Sequence, residues 1–166
     1  MKPILFLLLS FSFFISFSQV NLETEDLKHN QIILVGQIDR FGLEMDNYKD
    51  WFNMEYDSYN VDSITIASIL KKKLKKIKIV VFMATWCGDS HEQVPRFYKI
   101  LEKINSNFVL KVYALDEHKS CPEIDVASYN IERVPTFIFY KKNKEIGRIT
   151  EMPNVSLEKD MLKILL

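Results

Sequence analysis

The stretch ATWCGDSHEQVP, residues 84–95, is the most informative segment of this 166-residue chain, because it joins two predicted elements at a cysteine. Residues 77–84 form a nearly continuous apolar run of strand length, which is typical of a central strand covered on both faces. Apolar side chains at helical spacing then predict a helix over residues 87–104. Cys87 therefore begins a helix directly after a buried strand, where open α/β sheets place their ligand and reaction sites.

The segments after this helix extend the unit into a larger sheet. A second apolar run, residues 108–115, predicts a strand, and the strand–helix–strand order implies parallel pairing through a right-handed crossover. Residues 123–129 are predicted as a short helix. Two later strands, residues 136–140 and 145–149, are separated by a short polar loop that suits an antiparallel hairpin, and Ser156 can cap a last amphipathic helix. The order βαβ then ββα predicts an α/β fold with a central mixed sheet and flanking helices.

The N-terminal part contains one predicted strand and two predicted helices. Residues 32–38 are apolar and β-branched enough for a strand. Residues 46–59 place aromatic side chains at helical spacing, which favours a helix face packed on a sheet over a ligand groove. Ser63 can cap a second helix, whose C-terminal lysines complement the helix dipole and stay solvated. We treat residues 19–75 as an N-terminal extension and residues 76–166 as the main domain.

The first residues have the pattern of a secretory signal peptide. Lys2 precedes an uncharged apolar run over residues 4–17, and small residues stand at positions 16 and 18. The run is at the short end of what spans a bilayer, and the small residues favour cleavage over an uncleaved anchor. We therefore expect residues 1–18 to be removed and the mature protein to be periplasmic or extracellular, with no stable membrane anchor.

Charge and cysteine content narrow the classes of function. The 22 Lys and Arg residues balance the 22 Asp and Glu residues, so no net field favours nucleic acid or an anionic membrane, and no nucleic-acid partner is expected. The two cysteines are too few for a disulfide scaffold. A chain of this length can bury its own core, so each thiol is a candidate for reactivity rather than for stability.

The position of Cys87 favours a nucleophilic thiolate. The unsatisfied amides at a helix N-terminus stabilise an adjacent anion by about 0.3 to 2 kcal/mol, and the thiolate is the attacking form of a cysteine. Ser90, one turn further on, can donate its hydroxyl to the sulfur, and His91 can add a positive charge when it is protonated. Asp89 opposes both effects, because a carboxylate disfavours a second negative charge beside it.

The motif ATWCGDS resembles the active site of the thioredoxin family, which reads Trp-Cys-Gly-Pro-Cys. Pro95 in the following helix and Val134-Pro135-Thr136 before a later strand match the helix proline and the cis-proline of that family. The resemblance covers roughly residues 76–166 and agrees with the order of elements predicted above. It implies a thioredoxin-like fold with an N-terminal helical extension.

The resemblance also assigns roles to individual residues. Cys87 is expected to be the nucleophile, and the bond before Pro135 is expected to be cis. Substrate contacts are expected at Trp86, at Gly88 and at the backbone of Val134, where an extended client segment would pair as a short added strand. No cofactor is implied.

Two departures from the family bear on the mechanism. Ser90 stands where dithiol members have their second cysteine, and Val81 stands where thioredoxin has a buried acid. The usual two-cysteine cycle within the motif is therefore excluded. Cys121 follows the strand over residues 108–115 and lies at the same predicted sheet edge as Cys87, so it is either a resolving thiol or a bystander.

Three functions remain open from the sequence. The leading hypothesis is thiol–disulfide exchange, in which Cys87 forms mixed disulfides with client proteins and an unidentified thiol reductant or oxidant completes the cycle. A second is copper or zinc handling by Cys87, His91, His118 and Cys121, which offer thiolate and imidazole ligands. The third is a non-catalytic binding module that keeps the fold and leaves Cys87 idle.

Overall fold

A six-stranded mixed sheet forms the centre of the structure, a computed structural model that describes residues 20–72 and 74–166. The predicted signal peptide, residues 1–18, lies outside the described residues. The strands are β1 (Leu22–Asp26), β2 (Gln31–Ile38), β3 (Ile77–Met83), β4 (Val109–Ala114), β5 (Thr136–Lys141) and β6 (Lys144–Thr150). Their order across the sheet is β1-β2-β4-β3-β5-β6, with β3 and β4 parallel and the other neighbours antiparallel.

Five helices and one 3-10 helix accompany the sheet in the described residues. They are α1 (Arg40–Leu43), α2 (Lys49–Ser58), α3 (Ser63–Leu70), α4 (Gly88–Ile104), the 3-10 helix Val126–Tyr129 and α5 (Leu157–Ile164). Buried residues of α2, α3, α4 and α5 join one apolar cluster. Within the described ranges, none of these helices is long and apolar enough to cross a membrane.

The sheet separates two apolar clusters because successive strand residues face opposite sides. Val81 and Met83 of β3 pack with the helices, whereas Val80 and Phe82 pack in a second cluster that contains Cys121. The carboxyl ends of β3 and β4 meet at one edge, where Met83 pairs with Ala114. The segment that leads from β3 to Cys87 begins at this edge.

The elements predicted from residue 76 onward are confirmed. Strands β3 to β6 agree with the predictions to within one residue at each end, and β5 and β6 form the predicted antiparallel hairpin. Ser156 caps α5 and accepts a hydrogen bond from the Lys159 amide over 3.2 Å. The short helix predicted over residues 123–129 is a 3-10 helix that begins at Val126.

The N-terminal part contributes more to the sheet than its sequence suggests. β1 was not predicted, because its residues, LETED, are polar and it is an edge strand whose partner β2 supplies the buried side chains. β2 pairs with β4, so the predicted extension forms part of the same sheet. The aromatic stripe packs as predicted, since Tyr48 and Phe52 are buried against the core.

One capping residue differs from the prediction. Asp62, not Ser63, caps α3, because its carboxylate accepts hydrogen bonds from the amides of Ile64 and Thr65 over 3.1 and 3.0 Å. The helix also ends at Leu70. The lysines that were expected to end it therefore begin directly after the helix, at Lys71.

Candidate functional site

Cys87 is the N-cap residue of α4. Its backbone is extended, with φ −101° and ψ 122°, so the chain turns from the loop into the helix at this residue. Its amide donates to the carbonyl of Ala84 over 3.1 Å, and its own carbonyl accepts from the amide of His91 over 3.1 Å. The side chain is half-buried and makes no capping hydrogen bond, and the residue lies at the positive end of the helix dipole.

The thiol of Cys87 contacts the loop that leads into β5. Its Sγ donates to the carbonyl oxygen of Val134 over 3.3 Å, and the Val134–Pro135 peptide bond is cis. Glu151, directly after β6, donates its amide to the carbonyl of Pro135 over 2.6 Å. The hydroxyl of Thr136 donates to the carbonyl of Arg133 over 2.6 Å. The loop opposite the thiol is thus held at both of its ends.

Ser90 does not form the hydrogen bond that was predicted for it. The side chain is fully buried, and its Oγ accepts from the amide of Ala84 over 3.2 Å. Ala84 lies one residue beyond the last paired residue of β3, so its amide needs a partner outside the sheet. No hydrogen bond joins Ser90 to Cys87 among the described residues. Ser90 therefore fastens the helix to the end of β3 in this structure.

The His91 ring is held between α2 and the turn that precedes Cys87. Its ring stacks on the indole of Trp51 from α2, with centroids 4.2 Å apart and planes 15° from parallel. Its Nε2 donates to the carbonyl oxygen of Thr85 over 2.7 Å. The hydroxyl of Thr85 accepts from the amide of Leu34 in β2 over 3.1 Å. The turn before Cys87 is therefore anchored to α2, α4 and β2.

Trp86 covers the other side of this turn. Its Nε1 donates to the carbonyl oxygen of Leu115, just after β4, over 3.0 Å. The ring is partly buried and packs, with Cys87, against the second apolar cluster. Gly88 is exposed, and a Cβ placed on it would meet no atom within 4 Å. The surface beside the thiol is therefore open at Gly88 and bounded by an aromatic ring at Trp86.

Comparison with known proteins now identifies the fold. A family model described as thioredoxin matches residues 37–162. The chain belongs to the thioredoxin family. Its α/β class, with a mixed sheet and flanking helices, is therefore the thioredoxin-like fold that the motif predicted, and the match begins within β2, before the predicted main domain.

Individual relatives agree with this membership. A thioredoxin-like protein of Acanthamoeba polyphaga mimivirus is 32% identical over 97 residues, which cover 58% of this chain and 69% of that protein. Thioredoxin H9 of Arabidopsis thaliana is 29% identical over 119 residues, which cover 68% and 81% of the two chains. The crystal structure of a protein of unknown function from Pseudomonas aeruginosa has a similar fold at 12% identity, with a TM-score of 0.53 over 69% of this chain and 70% of that one.

Cys121 has a different environment from the motif cysteine of this thioredoxin fold. It is 9% exposed within the second apolar cluster, and its thiol donates to Glu123 Oε2 over 3.3 Å. Burial, reinforced by the Glu123 carboxylate, raises the pKa of the Cys121 thiol to about 11. Both cysteines are free thiols in the structure. Cys121 is therefore a protonated and covered thiol at neutral pH.

The Glu123 carboxylate that faces Cys121 also packs against a glycine of β2 whose φ angle is positive. Gly36 in β2 has φ +98°, and a Cβ placed there would stand 2.5 Å from Glu123 Oε1. The loop after β4 thus packs onto β2 through Glu123. Neither the glycine nor the glutamate was singled out from the sequence, since no local pattern relates residues this far apart.

The four residues considered for copper or zinc do not come together. No group of three or more His, Cys, Asp or Glu side chains suited to a metal ion occurs in the described part of the chain. The His91 ring is held by Trp51 and Thr85, and the His118 side chain is 79% exposed beside Glu117. The structure therefore does not bring Cys87, His91, His118 and Cys121 together, because α4 and the loop after β4 direct these side chains to different partners.

Proposed function

We propose that this chain is an exported thiol–disulfide exchange protein that works through the single motif cysteine, Cys87. Its membership of the thioredoxin family supports thiol–disulfide oxidoreductase chemistry in general. The observation that carries the finer proposal is the thiol of Cys87, placed at the N-terminus of α4 and 3.3 Å from the carbonyl of Val134. The clients are proteins with thiols or disulfides.

The first step is attack by the Cys87 thiolate on one sulfur of a client disulfide. A sulfur–sulfur bond forms between Cys87 and the client, the client disulfide breaks, and the other client sulfur leaves as a thiolate with the electron pair. The amides at the start of α4 stabilise the attacking thiolate. The backbone of Val134 offers hydrogen-bonding groups to an extended client segment.

The mixed disulfide is then resolved by a second thiol. Ser90 cannot resolve the mixed disulfide, because the attacking group in disulfide exchange is a thiolate and Ser90 has only a hydroxyl. The burial and raised pKa of Cys121 favour resolution by a small external thiol or by the client's own second cysteine. When the attacking client thiol is not the one released in the first step, Cys87 leaves as a thiolate and a new client disulfide forms, which is a net isomerisation.

A peptide whose cysteine forms a mixed disulfide with thionitrobenzoate tests the proposal. Wild-type protein is expected to release the coloured thiol and to acquire the mass of the peptide on Cys87. Cys87→Ser is expected to do neither, and Cys121→Ser, the matched control, to react like the wild type in this step. A wild-type protein that shows no reaction would leave a binding module as the function.

The same experiment separates the routes of resolution. If an external thiol or the client resolves the adduct, the lifetime of the mixed disulfide is the same in wild type and in Cys121→Ser. A longer-lived adduct in Cys121→Ser would instead identify Cys121 as the resolving thiol. Export is tested separately, by fractionating cells and determining whether the mature N-terminus is Gln19.

A further inference from the structure

A groove lies between α2 and the N-terminal part of α4. It has a volume of about 360 Å³, and its walls include Trp51 and Met54 from α2 and Gly88 and His91 from α4. Gly88 directly follows Cys87, and the Cα atoms of these two residues are about 3.8 Å apart, so one wall of the groove adjoins the residue that carries the thiol. A Cβ placed on Gly88 meets no atom within 4 Å, so this end of the groove is open.

The aromatic wall of the groove is preorganised. Trp51 is stacked on His91 at 4.2 Å, and His91 is fixed by its 2.7 Å hydrogen bond to Thr85. Met54, one turn away on α2, is 68% exposed and flexible enough to adapt to different side chains. A rigid aromatic ring beside an adaptable thioether forms a surface suited to large apolar groups.

The charged residues of the groove, one arginine and two glutamates, are paired with one another and leave a net charge of −1. Arg96 donates to Glu55 over 2.6 Å through Nε and to Glu92 over 2.6 Å through a terminal nitrogen. A charged ligand would have to compete with these ion pairs. An apolar ligand can instead bury surface on Trp51 and Met54 without disturbing the pairs.

We propose that this groove is a subsite for a large apolar side chain of the client, one or two residues from the cysteine that Cys87 attacks. The proposal rests on the exchange function proposed above, and it assigns client selection to α2. An extended chain advances about 3.3–3.6 Å per residue, so the residues one or two positions from a client cysteine lie within about 7 Å of it. When that cysteine is bonded to Cys87, these neighbouring residues can reach the groove beside Gly88. Alternate side chains of that chain point to the same side, so one of them can enter the groove.

The test uses peptides that differ only beside the cysteine. Four thionitrobenzoate-activated peptides carry leucine at one of the two positions before or after the cysteine, and a fifth carries glycine throughout. The readout is the ratio of second-order rate constants, leucine peptide over glycine peptide. Partial burial of one leucine predicts a ratio of about ten for at least one position in the wild-type protein.

Two variants remove the subsite, and one serves as a matched control. Met54→Ser and Trp51→Ala are expected to bring the ratio close to one. Met54 is exposed on its helix, so Met54→Ser keeps the test valid if Trp51→Ala does not fold. Phe41→Ser is the control, because Phe41 is 71% exposed, close to the 68% of Met54, and does not line the groove.

The outcomes distinguish the subsite from the exchange function itself. Equal rates for all five peptides with the wild-type protein would overturn the subsite and leave the exchange function standing. The subsite would also be overturned if Met54→Ser and Trp51→Ala lowered the rates of all peptides equally and preserved the leucine-to-glycine ratio. Trp51 and Met54 would then only position the thiol. A wild-type protein that reacts with none of the peptides would overturn the exchange function and the subsite with it.

Discussion

The thiol of Cys121 donates a hydrogen bond to the carboxylate of Glu123 over 3.3 Å, inside an apolar cluster that also contacts Cys87. This thioredoxin-family chain therefore has two cysteines near one sheet edge with opposite chemical settings. Cys87 lies half-buried at a helix N-terminus, whereas Cys121 is covered and faces a negative charge.

Iodoacetamide is expected to label Cys87 at least about ten times faster than Cys121 in the native protein at pH 8. A thiol with a pKa of about 11 is roughly one part in a thousand thiolate at that pH, and the thiolate is the reactive form. The Cys121 rate is expected to rise about tenfold per pH unit from pH 8 to 10. Mass spectrometry of proteolytic peptides measures both sites, and equal labelling of the native protein would contradict the prediction.

Glu123→Gln is expected to accelerate the labelling of Cys121. Burial is the main cause of the raised pKa of Cys121, and the Glu123 carboxylate raises it further, so an amide in its place lowers the pKa. The increase in labelling rate at fixed pH measures the effect. Glu117→Gln, in the same loop, is the control and should leave the rate unchanged. A slower rate in Glu123→Gln would show that the carboxylate activates the thiol instead.

His91→Leu is expected to lower the free energy of unfolding by about 1–3 kcal/mol, because it leaves the Thr85 carbonyl without its hydrogen-bond donor. His91→Gln keeps an N–H donor and should lose less. Urea denaturation measures both. The control is His118→Leu at a 79% exposed side chain, where a change within about 0.5 kcal/mol is expected. Similar losses in His91→Leu and His118→Leu would contradict the role given to His91.

Gly36→Ala is expected to destabilise the protein by about 1–3 kcal/mol. The backbone at Gly36 has φ +98°, which a residue with a Cβ adopts only under strain, and that Cβ would meet the Glu123 carboxylate. Gly88→Ala is the matched control, since its Cβ would enter open space. Thermal unfolding compares the two, and an equal effect would refute the explanation from backbone conformation.

Much of the fold followed from local pattern. The apolar run before Cys87, the amphipathic helix after it and the later hairpin were all predicted, because strand and helix periodicities depend on neighbouring residues only. The placement of Cys87 at the start of α4 followed from the same pattern. β1 was missed because an edge strand with polar residues has no apolar period, and only its pairing with β2 makes it a strand.

The surroundings of the two thiols were decided by tertiary structure. The Ser90 hydroxyl bonds the Ala84 amide because β3 ends one residue earlier, and Trp51 meets His91 because α2 packs on α4. The local sequence was enough to predict that Cys87 is the reactive residue and that it begins a helix, because capping and periodicity depend on residues a few positions apart. Which side chain stacks on His91, and what covers Cys121, depends on contacts between segments tens of residues apart, which form only when the sheet and its helices assemble.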